Sequence, residues 1–421
     1  MDADTTRGSP EAAAPGQPSA HARRPFHVLA KPIGPLCNLR CEYCFYLDKV
    51  SLYPRDENFR MPDPVLERYV RERIESRPAG ARQVEFAWQG GEPTLMGLDF
   101  FRRALDLQRR FAPHGVEIHN ALQTNGTRLD DEWARFLRDE GFLVGISIDG
   151  PPDLHDRYRV DERGKGSHQP ALRGLEALVR NGVEFNTLTC IQAHNGDSGE
   201  RIFDYLKSLG SRYMQFIPVV ERVDGAGVSP RSVSGLQFGG FMNAIFDRWL
   251  ERDVGHVFVQ HFDMMLGLVL GMPSSLCVHS AECGRSLAME HNGDVFSCDH
   301  FVTPEHRIGN LMQTTLAELA DSEQALRFGA AKSETLPRDC RECRYRRYCH
   351  GGCPADRTDR TAAGEPGLNH LCEGYKLFYA HTLPVFEAMG RALRADRQAF
   401  EWRGFVSARG GYSEGAPKNS A

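Results

Sequence analysis

Cys37-Asn38-Leu39-Arg40-Cys41-Glu42-Tyr43-Cys44 decides how this chain is read. The stretch is C-x3-C-x2-C, three thiols within eight residues, directly after the apolar run 26–33. Three thiolates this close can grip one soft metal centre, and thiolate ligands favour iron–sulfur clusters or zinc. A structural zinc site wants four protein ligands, and no obvious fourth follows nearby. A four-iron cubane held by three cysteines keeps one iron open, free to bind a small chelating cofactor. The plain alternative is three stray core cysteines, and the spacing weighs against it.

With 421 residues the chain can form one large barrel or two to three domains. It carries 51 basic and 56 acidic residues, so nothing points to a nucleic-acid or anionic-membrane partner. No apolar run approaches the roughly 20 residues of a membrane span, and the most apolar window, 264–272, reads as packed helix. Arg23-Arg24 is followed by Pro25 and a strand-like run rather than an apolar export segment, so a cytoplasmic location is expected. Twelve cysteines in an unexported chain argue for metal rather than disulfides. Residues 1–24, rich in Ala, Pro, Gly and Ser, read as a disordered lead, and 404–421 as a loose tail. Between them the expected units are a barrel over 25–255, a cysteine-rich extension over 256–385 and a C-terminal helix over 386–403.

Six short apolar or alternating runs read as strands: 27–33, 84–88, 116–123, 142–148, 184–191 and 213–219. Amphipathic helices separate them. Asp63 is the expected N-cap of the first, with Pro64 at the first helical position and Val65, Leu66, Tyr69, Val70 and Ile74 on one face. Leu172, Leu175, Leu178 and Val179 form the stripe of the fourth. Strands alternating with helices imply a parallel sheet with right-handed crossovers. Six repeats over this length predict an α/β fold, a partial (β/α)6 TIM-like barrel rather than a full eightfold one.

In such barrels chemistry collects at the carboxyl ends of the strands. The first run ends in the three cysteines, the second in Gln89-Gly90-Gly91-Glu92-Pro93 and the third in Gln123-Thr124-Asn125-Gly126. The fourth ends in Ser147-Ile148-Asp149-Gly150. Gly-Gly-Glu-Pro alone is weak evidence, since Gly and Pro punctuate any loop. Cys190, alone on a strand, reads as a small core residue. After the barrel come Cys277, Cys283 and Cys298, then Cys340-x2-Cys343-x5-Cys349-x3-Cys353, then Cys372. Eight cysteines make two four-thiolate sites, and the spacing does not say which ligands share one; two zinc ribbons would also fit. His279, His291, His300 and His350 read as non-ligands, because eight thiols suffice.

C-x3-C-x-aromatic-C, followed one strand later by Gly-Gly-Glu-Pro, resembles the signature of the radical S-adenosylmethionine (SAM) enzymes. The resemblance implies that Cys37, Cys41 and Cys44 hold a [4Fe–4S] cluster whose open iron binds SAM. It implies further that Gly90, Gly91 and Glu92 lie at the SAM amino group, and that Ser147 holds the SAM carboxylate. Tyr43 and Tyr46 would flank the adenine or sulfonium, and Gln89 would sit in the pocket. Arg159 and Arg163 would be carboxylate or substrate contacts, a solvated loop arginine being the plain alternative for each. The later cysteines resemble the SPASM extension, which carries two auxiliary [4Fe–4S] clusters, making three in all. On that pattern Cys277, Cys283, Cys298 and Cys353 hold one, and Cys340, Cys343, Cys349 and Cys372 the other.

Within this class the chain is most similar to the anaerobic sulfatase-maturating enzymes, over about 31–379. The particular match is His291-Asn292-Gly293-Asp294-Val295-Phe296-Ser297-Cys298-Asp299-His300. Such enzymes oxidise a Cys or Ser of a sulfatase to Cα-formylglycine, which implies an unfolded or nascent sulfatase as substrate and a flavodoxin- or ferredoxin-like electron donor. The match places the catalytic base at Asp299. His350 and Ala355 stand where the family pattern has Asn and Lys, which bears on substrate detail and not on reaction class. Three alternatives compete: a SPASM-type maturase of another ribosomal peptide, a radical SAM enzyme acting on a carbohydrate or cofactor precursor, and a non-catalytic zinc-ribbon protein.

Overall fold

The computed structural model describes residues 21–223 and 227–406. Six parallel strands follow one another in space as in sequence: β1 (His27–Lys31), β2 (Gln83–Trp88), β3 (Glu117–Thr124), β4 (Leu143–Ser147), β5 (Phe185–Ile191) and β6 (Tyr213–Pro218). Each is followed by a helix that covers the sheet, and β1 is not paired with β6, so the barrel stays open. The α/β fold with its partial barrel is thus the one expected.

The stripes fill as the periodicity requires. Val65, Leu66, Tyr69, Val70 and Ile74 are all buried on helix Asp63–Glu75. Tyr69, Phe100 and Phe101 meet Trp88 edge-on at centroid distances of 5.6, 5.8 and 5.9 Å. Such edge-to-face packing suits the aromatic quadrupole. Two details differ. Pro62, not Asp63, caps the first helix, and Asp63 instead reaches Arg103 at 3.2 Å. Val179 is 50% exposed, because helix His168–Asn181 turns that position past the edge of its contact face.

The extension is joined to the barrel more intimately than its sequence suggests. Strand Ser286–Glu290 pairs in parallel with β1, in a register that sets His27 beside Ser286 and Lys31 beside Glu290. Strands Asp294–Phe296 and Arg307–Asn310 add antiparallel, and the two-residue strand Phe258–Val259 lines the far edge against β6. One ten-stranded sheet therefore runs through both regions, and β1, which would otherwise be an open edge, is covered.

The ends also differ from expectation. Residues 1–20 and 407–421, where most of the expected lead and tail fall, lie outside the described residues. From His21 the chain is packed: the Ala22 amide donates to Ser76 at 3.0 Å and Arg24 pairs with Glu282 at 2.9 Å. The helix expected from 386 begins at Cys372 and runs unbroken to Arg394, with a short 3-10 turn at Ala399–Phe405 after it. It lies against helix Gly235–Arg252 so closely that a Cβ on Gly374 would come within 2.0 Å of the Gly235 carbonyl.

Candidate functional site

At the carboxyl end of β1 the chain turns at Gly34, whose φ of +56° favours glycine, and enters the three-thiol loop. Backbone bonds strap this loop on both sides. Gly34 and Leu36 carbonyls accept from the Gly91 and Glu92 amides at 2.8 and 2.9 Å. Arg40 and Glu42 amides donate to Val160 and Tyr158 carbonyls at 2.7 and 3.0 Å. A Cβ on Gly91 would lie 1.8 Å from the Leu36 oxygen, so only glycine lets the two backbones meet. The Gln89 amide adds a bond to Ala30 at 2.9 Å, and its side chain is half-buried at the end of β2.

Glu92 is fully buried, but its carboxylate faces the fold rather than an opening. Oε1 accepts from the Thr94 amide and hydroxyl and from the Thr124 hydroxyl, and Oε2 accepts from the Asn125 amide at 2.7 Å. It ties the β2 turn to the β3 turn. Asn125, absent from the expected site, is thereby aimed at the loop: its Nδ2 lies 3.6 Å from Cys37 Sγ and 3.0 Å from Asn38 Oδ1. Its place at a strand end on the cysteine rim was the available signal.

Beside the loop sits a second buried group. Asp149 accepts from the Tyr43 hydroxyl at 2.5 Å, from Arg159 at 3.0 Å, from Gln192 at 3.3 Å and from the Cys190 amide at 2.9 Å. Tyr43 is therefore fixed by its hydroxyl, with its ring edge-on to Tyr158. Burial pushes the Cys41 thiol up to about 12 against the opposing pull of the Arg159 charge. Three half-buried thiols beside a buried guanidinium suit an anionic cluster, whose ligands are thiolates. Ser147 ends β4 at 7% exposure, on the same rim. Arg163 is not brought in; it lies exposed in the turn closed by Asp161.

Tyr46 points away from Tyr43. Its hydroxyl bonds Glu290, and its ring lies 4.0 Å from the Lys31 ammonium. Lys31, itself 1% exposed, forms an ion pair with Asp299. Asp299 thus reaches the end of β1 from the far part of the chain, next to Cys298. Lys31 and Glu290 were missed in the sequence, where only a charge closing each apolar run marks them.

The eight later thiols fall into two groups. Burial raises all of Cys277, Cys283, Cys298 and Cys353; the four feel one another's charge, and the buried Lys332 partly offsets the rise at Cys277, Cys283 and Cys353. Cys340, Cys343, Cys349 and Cys372 line a single cavity with Tyr345, Tyr375 and Tyr379. Burial pushes Cys349 and Cys353 each up to about 12. All twelve cysteines are free. Among the described residues no group of three or more His, Cys, Asp or Glu is gathered closely enough for one metal ion. His279, buried, bonds His261 and Tyr379 at 3.1 and 3.2 Å, and His291 faces Glu57. His300 Nδ1 lies 3.8 Å from Cys353 Sγ.

Comparison with known proteins agrees with this geometry. Residues 32–207 match the model of the radical SAM superfamily, and 282–344 match SPASM, an iron–sulfur cluster-binding domain. A serine-type anaerobic sulfatase-maturating enzyme of Bacteroides thetaiotaomicron is 40% identical, over 88% of this chain and 92% of the relative. A cysteine-type enzyme of Clostridium perfringens is 32% identical, over 86% and 97%. The solved structure of native anSMEcpe with bound AdoMet and Cp18Cys peptide superimposes with a TM-score of 0.79 at 31% identity, covering 88% of this chain and all of that one. By sequence and by fold, this chain belongs to the anaerobic sulfatase-maturating enzymes, radical SAM proteins with a SPASM extension.

Proposed function

We propose that this chain oxidises the Cβ of a Cys or Ser in an unfolded or nascent sulfatase to give Cα-formylglycine. The observation that carries the reading is a meeting on one rim: the loop of Cys37, Cys41 and Cys44 and the Asp299 carboxylate both stand at the end of β1, Asp299 being held there by Lys31. When bound, SAM and the clusters supply a carbon radical able to take hydrogen from an unactivated Cβ, and a sink for the remaining electron.

The chain's own groups do the rest. Cys37, Cys41 and Cys44 hold the first cluster; Cys277, Cys283, Cys298 and Cys353 hold the second, and Cys340, Cys343, Cys349 and Cys372 the third. Gly90, Gly91, Gln89 and Ser147 border SAM. Glu92 braces the turn that presents the glycines, while Tyr43, Tyr46 and Arg159 wall the pocket. Asp299 accepts the hydroxyl or thiol proton, and a carboxylate suffices because that proton is lost easily as hydrogen leaves the neighbouring carbon. A flavodoxin- or ferredoxin-like protein donates electrons. The location is cytoplasmic, where free thiols are maintained; no described helix is long and apolar enough to cross a membrane.

The test incubates anaerobically reconstituted enzyme with SAM, a reductant and a sulfatase peptide, then weighs the peptide. A Ser peptide loses two hydrogens; a Cys peptide also exchanges its sulfur for oxygen. Identity is higher to the serine-type relatives, at 40–42%, than to the cysteine-type ones, at 30–33%, so both peptides are needed. An unchanged mass for both would overturn the reading.

A further inference from the structure

A positive charge taken out of water needs a negative one beside it, because hydrogen bonds to neutral groups replace only part of the lost hydration. Two cations deep in the extension lack that partner. Lys332, near the end of helix Glu323–Glu334, is 1% exposed, and Arg357 is 9% exposed. Lys332 Nζ donates to the Cys277 and Val278 carbonyls at 2.7 and 3.0 Å. Arg357 donates to the Gly351, His350 and Lys332 carbonyls at 3.1, 3.2 and 2.8 Å, and to the Thr335 hydroxyl at 3.3 Å. All these acceptors are neutral, and among the described residues neither cation pairs with a carboxylate. By the three-thiol loop, in contrast, Lys31 has Asp299 and Arg159 has Asp149.

What surrounds the two cations is sulfur. Lys332 is anchored on the backbone of Cys277 itself. The carbonyls of His350 and Gly351, which hold Arg357, lie in the loop between Cys349 and Cys353, one cysteine from each set. Burial lowers Lys332, and charge on Cys283, Cys277 and Cys353 pulls it back up. Burial lowers Arg357 as well, against Cys340, Cys283, Cys353 and Cys349, which come from both sets. An anionic cluster in each set supplies the missing counter-charge, so the residues present fit two such groups.

We propose that Lys332 and Arg357 raise the reduction potentials of the auxiliary clusters, Lys332 acting on the one held by Cys277, Cys283, Cys298 and Cys353, and Arg357 on both. The proposal rests on the cluster reading above. One-electron reduction adds one negative charge to a cluster, and a fixed cation nearby stabilises the reduced form more than the oxidised one. Once the substrate has lost a hydrogen atom from Cβ and a proton from its heteroatom, one electron remains to be taken up. The two cations make the auxiliary clusters better acceptors for it.

The experiment titrates the fully reconstituted enzyme with dithionite in the absence of peptide, following each cluster by EPR and by protein-film voltammetry. Lys332→Met and Arg357→Gln are compared with the unmodified enzyme, and the variant with Cys37, Cys41 and Cys44 replaced by Ala identifies the signal of the three-thiol loop. In Lys332→Met the reduction equilibrium of one auxiliary cluster should fall by about tenfold, a shift of about 59 mV to more negative potential for one electron. Arg357→Gln should lower both auxiliary potentials, and neither variant should move the loop cluster. Lys332→Arg, which keeps the charge, should keep the unmodified potential. Arg357→Gln reports even if Lys332→Met folds poorly. Auxiliary potentials unchanged in both variants would overturn the proposal, even with iron or thermal midpoint reduced, which is the mark of a brace. A shift to more positive potential would overturn it too. Failure of the cluster reading itself would show separately, as no auxiliary signals from the unmodified enzyme.

Discussion

The three-thiol loop and the extension hold sulfur in opposite ways. The loop gathers its thiols within eight residues and hangs them from backbone bonds to the turns after β2 and β4. The extension draws each set from afar, Cys277 with Cys353 and Cys340 with Cys372, and the two sets overlap along the chain. A local motif can lose its metal and keep its scaffold, whereas distant ligands close the fold they sit in, so metal binding there is also folding energy.

Replacing Cys37, Cys41 and Cys44 together by Ala tests the first half. SAM cleavage should vanish, and iron should fall by about a third from roughly 12 per chain, the content of three four-iron clusters. The thermal midpoint should barely move. Surviving SAM cleavage would break the assignment. Asp299→Asn probes the point where the two regions meet. Product formation should fall by roughly 10²–10⁴, the usual worth of a positioned base, while 5′-deoxyadenosine still forms and iron stays full. Near-normal formylglycine would remove Asp299 from the chemistry.

Cys353→Ala tests the second half of the contrast. It should cost roughly 4 kcal/mol or more, the scale of a lost metal site, and lower the unfolding midpoint along with iron. A stable protein missing only that iron would make the extension as passive as the loop; two zinc per chain after anaerobic isolation would refute its clusters outright. Gly91→Ala gives the smallest effect. Forcing a methyl 1.8 Å from the Leu36 carbonyl should cost about 1–3 kcal/mol and weaken SAM binding, seen as a raised SAM requirement with an unchanged peptide requirement.

What could be read in the residues was what repeats or clusters locally. β1 to β6 announced themselves by short apolar runs between amphipathic stripes, and the cysteine loop by its spacing. The pairing of β1 with Ser286–Glu290 was not legible, because register across some 260 positions leaves no local trace. The same distance hid Lys31 beside Asp299 and Glu290 beside Tyr46. Glu92 was placed on the right turn, but two of its four acceptor contacts, from Thr124 and Asn125, depend on where β3 ends. Tyr43 and Tyr46, three apart in sequence, diverge to different carboxylates, Asp149 and Glu290, and nothing in C-x3-C-x-aromatic-C distinguishes them.

The continuous sheet bears on how modular this protein is. A barrel and an appended cysteine-rich unit suggest pieces that could be cut apart or exchanged between relatives. Strand Ser286–Glu290 forbids a clean cut, since it covers the β1 edge and sets Glu290 level with Lys31. A chain truncated after the barrel would present a bare strand directly before its cysteine loop, and Lys31 buried with no carboxylate opposite it. A graft of a foreign extension has to supply more than its thiols. It must bring a strand of matching register, and an acid at the position of Asp299 to meet a lysine it did not evolve with.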